Sequence, residues 1–403
     1  MKRFIISPKL NLSLYTLLLI ITPFLLLQNY MQSAIGLIGS SGFNVGTVLI
    51  PYTVILVLSV AITAIIIAWK YISLKRIFGI FIFVVMLFVG QHASDFYFNH
   101  NFYDLQYNWH FIAYSIFALL AFRYFHSKNL PPAKIILNSF LLALCISSFD
   151  EIIQVFISQR VFDISDISKD VWGVLMGIVL IQITVLDAVA FTEFKIRYPK
   201  IKDYFKNPFT VLFHLIVFTY IFLWISALLT NKIFWGEVVF FTILIYLIIF
   251  FVIHITKTKL VRWTVRGLIV LLLSFIAFAV LKKEKHVSVL GNSLIVYNGI
   301  PIYYFDLLIY NDGRFRLVDK KDFFNQRDKL KINSFDTDIV IFGTGMKGEG
   351  GKGFNDQLIT EMRYSDERKD IYQIIKLNNK EAARLFNKLS KEDKKVHFII
   401  YNN

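Results

Sequence analysis

The residues able to do chemistry gather in three short stretches. "NWHFIAY" sets His110 and Tyr114 four residues apart, "FDEIIQ" sets Asp150 and Glu151 ahead of Gln154, and "SQRVFDISDISKD" adds Arg160, Asp163, Asp166, Lys169 and Asp170. Spacings of three and four put side chains on one face of a helix, so His110 joins Tyr114, Gln154 joins both acids, and Asp166 joins Asp170, with Gly173 and Gly177 continuing that face. A histidine among carboxylates can pass protons as general acid or base. A Glu151 or Asp150 drawn out of water can keep one, and Arg160 and Lys169 can grip a phosphate. The carboxylate spacing matches no metal-ligand signature, even with His92, His100 and His110 considered together, and no cofactor motif accompanies it.

The elements that must position these residues are membrane helices. Of 403 residues, 56% are hydrophobic and 17% aromatic, at a mean hydropathy of +0.58, and apolar runs long enough to cross a bilayer recur throughout. Nine spans are expected, at about 11–29, 48–69, 77–92, 108–125, 134–155, 170–191, 208–229, 235–255 and 264–281. The first reads as a retained anchor without a cleavage site. Basic residues recur on one side of this array: Lys2 and Arg3, Lys75 and Arg76, Lys128 and Lys134, the run Lys195 to Lys206, and Lys257 to Arg262. The positive-inside rule makes that side, with the N-terminus, cytoplasmic, and an odd number of spans then leaves the C-terminal domain outside. The net charge of +15 is thus topology signal and contact with anionic lipid, which excludes nucleic acid as the expected partner. The lone cysteine, Cys145, lies inside an apolar run and excludes disulfide frameworks and cysteine metal sites.

The polar groups therefore converge at the outer ends of the fourth, fifth and sixth spans. Ionisable groups near hydrocarbon are costly unless they pair or face a cavity, so the convergence marks a candidate pocket. "HFIAY", "DEIIQVFISQR" and "FDISDISKDVWGVLMG", in that order, resemble the VanZ-like membrane proteins, over about residues 75–192. That resemblance implies site roles for His110, Tyr114, Glu151, Gln154, Arg160, Asp163, Asp166, Gly173 and Gly177. It also implies a link to glycopeptide resistance of the teicoplanin type. Two positions depart from the pattern: Asp170 stands where the family has asparagine, and Tyr107 where a lysine often precedes the histidine by three.

Composition changes after Lys283. Short alternating apolar stretches with Asn-Gly and Asn-Asp-Gly turns indicate strands and hairpins, "KEAARLFNKLSKED" an amphipathic helix with Ala382, Leu385, Phe386 and Leu389 inward, and "KKVHFIIYNN" a closing strand. The glycine loop "GTGMKGEGGKGF" lacks the spacing of a phosphate-binding loop and reads as a surface loop. Gly343, Thr344, Gly345, Ala382, Phe386 and Asn387 resemble the small α/β family that includes a mitochondrial complex I assembly factor.

The expected architecture is an all-α polytopic membrane domain followed by a small α/β domain with a mixed sheet. Its boundaries fall at 1–74 for the first two helices, 75–192 for a four-helix core, 193–283 for further helices and 284–403 for the soluble domain. Two functions stay open. The outward pocket, with His110, Glu151 and Asp150 as catalytic candidates and Tyr114, Gln154, Arg160, Asp163, Asp166 and Asp170 as ligand-binding ones, binds or processes an envelope amphiphile such as a lipid-linked precursor. Alternatively the cluster locks helices together in a scaffold whose residues 284–403 recruit a protein partner.

Overall fold

A computed structural model describes residues 7–25, 41–45, 48–52, 54–56, 58–59, 63, 66, 70, 72–95, 105–156, 162–185, 194–229, 234–255, 263–264, 266–267, 270–271, 274, 285–290, 294–303, 305–318, 337–345 and 373–402. The chain divides into two compact units, Met1–Ala227 with Trp235–Ile255, and Leu228–Phe234 with Thr256–Asn403.

The first unit is helical: α1 (Pro8–Leu25), α2 (Leu74–Ser94), α3 (Leu105–His126), α4 (Pro132–Gln154), α5 (Ile164–Val185), α6 (Pro208–Leu228) and α7 (Trp235–Ile255). Five of these, α2, α4, α5, α6 and α7, are long and apolar enough to cross a membrane, and the expected nine spans are not supported. The reasons differ by segment. In α1 the apolar helix covers only Pro8–Thr22, while α3 is interrupted by Asn108, His110, Arg123 and His126. The ninth expected span lies largely outside the described residues, as does part of the second. At the start of the second, Val48–Pro51 is instead strand β2, antiparallel to β1 (Gly42–Val45), because β-branched residues favour a ladder and Pro51 cannot continue a helix. The outer placement of residues 284–403 rested on the count of nine and loses that support.

Helix α5 is the axis of this unit. Val171, Trp172, Val174, Leu175, Met176 and Ile178 on it are buried, and α2, α3 and α4 pack around it. Glycine makes this possible. A Cβ on Gly173 would lie 2.6 Å from the Phe111 carbonyl oxygen, and one on Gly177 2.5 Å from that of Ser115, so α3 and α5 approach backbone to backbone. The Ser115 hydroxyl uses this closeness to donate to the Gly173 carbonyl at 2.8 Å, and the Trp172 indole donates to Met86 O on α2 at 2.9 Å. By contrast α7 leaves Phe240, Ile248 and Phe251 exposed, as a lipid-facing helix would.

The α6–α7 pair closes around aromatic rings at its other end. Tyr204, on a short 3-10 helix (Ile201–Phe205), is buried beside His214 and Phe250 and meets His254 Nδ1 at 3.1 Å, while the Tyr246 hydroxyl meets His214 Nδ1 at 3.2 Å.

The second unit holds two sheets. Strands β3 (Val287–Leu290), β4 (Leu294–Tyr297) and β5 (Ile300–Tyr303) form an antiparallel meander, the turn from β4 to β5 made by Asn298 and Gly299 at φ of 50° and 87°. Strands β6 (Asp306–Ile309), β7 (Phe315–Val318), β8 (Ile339–Gly343), β9 (Gln373–Leu377) and β10 (Val396–Ile400) form a five-stranded sheet in the order β7-β6-β10-β8-β9. Its β10–β8 and β8–β9 pairs are parallel and its β10–β6 and β6–β7 pairs antiparallel, so the sheet is mixed, as expected. Helix α8 (Asn379–Lys391) buries Ala382, Ala383 and Phe386 in one core with Val287, Tyr297, Ile341 and Phe398. Of the glycine loop only residues up to Gly345 are described. The Asn379 side chain shapes that turn, accepting from the Gly345 amide at 2.9 Å and donating to Tyr401 O at 2.6 Å.

Candidate functional site

Asp163 starts the construction. Its carboxylate accepts from the Ser165 amide at 3.0 Å and the Ser165 hydroxyl at 2.7 Å, an N-cap that begins α5 six residues ahead of the expected 170. Asp166, Lys169 and Asp170 thereby fall in the first two turns of a helix, with Asp166 and Asp170 on the face toward α3. That α5 is buried against α3 through Gly173 puts Asp170 beside His110.

A continuous polar chain follows. The Ser147 hydroxyl on α4 donates to Asp170 Oδ2 at 2.6 Å, and Asp170 Oδ1 meets His110 Nδ1 at 2.9 Å. His110 Nε2 lies 3.7 Å from Asp166 Oδ1, which in turn accepts from Lys169 Nζ at 2.7 Å. Lys169 also rests 5.2 Å over the centre of the Tyr107 ring, and the Tyr107 hydroxyl meets Ser94 Oγ at 2.6 Å. A second branch runs along α4. Gln154 Nε2 donates to Glu151 Oε1 at 2.8 Å and to Asp150 Oδ2 at 3.2 Å, while Glu151 Oε2 accepts from the Asp163 amide at 2.9 Å. Glu151 and Asp170 are 1% and 3% exposed, whereas the His110 ring keeps 27% of its surface open.

The expected members are thus mostly brought together, in pairings that differ from the expectation. His110 takes Asp170 and Asp166 as direct partners, and Glu151 takes Gln154 and the Asp163 backbone, although the charges of His110 and Glu151 remain within electrostatic reach of one another. Tyr114 is buried, its hydroxyl facing Ser147 short of a well-formed hydrogen bond. Arg160, and with it the expected Arg160–carboxylate pairs, lies outside the described residues. Among the described residues no group of three or more histidine, cysteine, aspartate or glutamate side chains is arranged to hold a metal.

One member, Ser147, and one contact, that of Lys169 with Tyr107, escaped the sequence reading. Ser147 was legible, since it precedes Glu151 by four and Gln154 by seven and so shares their helical face. The seat of Lys169 on Tyr107 was not, because it depends on how α3 and α5 cross. It places a cation at the ring of the very residue that stands in for the family lysine.

Chemically, the Asp170–His110 pair resembles an oriented base. A carboxylate on Nδ1 fixes the ring and its tautomer, and Nε2 faces Asp166 at the looser distance of 3.7 Å. The buried Glu151 and half-buried Asp150 supply acceptors on α4.

No curated protein and no solved structure matches the chain, and the likeness of residues 284–403 to the complex I assembly factor family rests on sequence pattern alone. The VanZ/LLP1 family model matches residues 12–186. That stretch begins well before residue 75 and takes in most of α1 and all of α2 to α5 with every described member of the cluster, so the part of the chain that holds the site is similar to the VanZ/LLP1 family.

Proposed function

We propose that the cluster at the joined ends of α3, α4 and α5 faces the outside of the cell and binds the polar head of an envelope amphiphile, with a bearing on glycopeptide susceptibility of the teicoplanin type. The observation that supports this best is the burial of Glu151 and Asp170 beside an imidazole that keeps 27% of its surface open. Carboxylates embedded in apolar helices cost stability, and a site that uses them accounts for their presence. His110 and Asp170 would move a proton at the bound head, and Glu151 with Gln154 would orient it.

A second reading is favoured by the tight α3–α5 contact at Gly173 and Gly177: the cluster locks a scaffold, and residues 284–403 recruit a partner. Glu151→Gln and His110→Ala separate the two. A head-group site predicts loss of the susceptibility phenotype at near-wild-type abundance in the membrane. Loss of abundance in step with phenotype would refute it in favour of the scaffold.

A further inference from the structure

The cluster is short of positive charge, and we infer that the head group it takes is a primary ammonium. This rests on reading the cluster as a head-group site and names the chemistry of the head. Among the described residues, five carboxylates, Asp150, Glu151, Asp163, Asp166 and Asp170, lie with two cationic candidates, His110 and Lys169, and both of these are already held by Asp170 and Asp166. Crediting Arg160 to the site still leaves five acids against three basic residues. A phosphate entering here would meet carboxylates on α4 with Lys169 already committed 2.7 Å from Asp166.

Two buried acceptors point the same way. Asp150 Oδ1 is buried with no hydrogen-bond partner among the described residues, although Oδ2 of the same carboxylate is satisfied by Gln154. The Tyr114 hydroxyl, on a side chain 4% exposed, faces Ser147 without a well-formed hydrogen bond among the described residues and lies within electrostatic reach of Asp170, Asp150 and Glu151. A buried carboxylate oxygen calls for a donor. An ammonium brings three N–H donors and a charge of the required sign, so one such group answers Asp150 and Tyr114 together.

The same turns of α4 provide for an attached chain. Phe149, Ile152, Val155 and Phe156 are exposed next to Asp150 and Glu151, an apolar flank along which the tail of an amphiphile can lie while its ammonium enters the cluster. A small free amine would leave this flank unused.

The test uses the full-length protein in phosphatidylcholine nanodiscs, with empty nanodiscs as reference, and compares dodecylamine with dodecyl phosphate. Dodecylamine is expected to bind at least about tenfold more tightly. Asp150→Asn combined with Glu151→Gln should erase that preference. Should the double variant fail to fold, Tyr114→Phe serves instead, weakening dodecylamine several-fold and leaving dodecyl phosphate unchanged. Equal or tighter binding of the phosphate overturns the inference, as does full displacement of dodecylamine by millimolar Mg²⁺, which would make this a metal-ion site. If neither probe binds above reference while Glu151→Gln still loses the phenotype at normal abundance, the ammonium is wrong and the head-group reading survives. Loss of abundance in that variant sinks both.

Discussion

Two histidines, His110 and His397, show how differently a titratable ring can be treated within one chain. In the helical unit His110 sits between Asp170 and Asp166, with Lys169 and Ser147 completing the chain, and part of its ring is open. In the sheet unit His397 lies in the middle of β10, wholly enclosed, edge-on to the Tyr310 ring at 5.7 Å. Burial pushes the His397 pKa down from 6.5 to about 3, against a smaller opposing pull from Asp312. Carboxylates hold His110, whereas the sheet treats His397 as a core side chain. A ring provided with partners and an opening suits chemistry; a ring sealed away from water suits packing.

The sharpest way to break this comparison is to remove the spacing on which the His110 end depends. Gly177→Val would force its side chain into the Ser115 carbonyl and Ala118, so α3 and α5 must separate, and the protein should fail to accumulate in the membrane. Normal abundance on a membrane immunoblot would show that the glycine contact is dispensable. Asp170→Ala is expected next in size. It strands His110 and Ser147 together, at a cost of about 3–5 kcal/mol for breaking a buried pair, and should lower the melting temperature in detergent by several degrees.

The His397 end makes a prediction in pH. The unfolded chain binds a proton near pH 6.5, whereas the folded ring refuses it until about pH 3. The stability of the sheet unit is therefore full above pH 6.5 and falls with a limiting slope of about 1.4 kcal/mol per pH unit as the pH drops through that window. His397→Phe should flatten this acid-side slope in denaturant titrations, while an unchanged slope would assign it to other groups. The smallest expected effect is at the aromatic cluster around Tyr204. Tyr204→Phe keeps the ring contacts and loses one hydrogen bond to His254, so a change near 1 kcal/mol is expected by thermal melt, with no change in the phenotype tied to His110.

Much of this contrast was legible in the residues. Spacings of three and four picked out His110, Glu151, Gln154, Asp166 and Asp170, because a helix imposes its period on any side chains that must share a face. Periodicity likewise gave α8 and its inward Ala382 and Phe386. What remained hidden depends on helices meeting. The choice of Asp170 rather than Glu151 as the partner of His110, and the rest of Lys169 on Tyr107, follow from the closeness allowed by Gly173 and Gly177, which spacing within one helix does not encode. The span count failed for another reason: hydropathy alone cannot separate a crossing helix from an apolar stretch such as Val48–Pro51 that pairs as a strand.

The side chain of Asn387 on α8 accepts from the Val287 amide at 2.8 Å and donates to the Val287 carbonyl at 2.7 Å. Val287 opens β3, an outer strand of the meander, and its two free backbone groups are those that a neighbouring strand would seek. A carboxamide presents the same donor and acceptor as a peptide unit, so the helix occupies that place in the ladder itself. The meander is thereby closed to recruits at this edge. A sheet edge capped in this way carries a guard against joining edge to edge with another copy of itself.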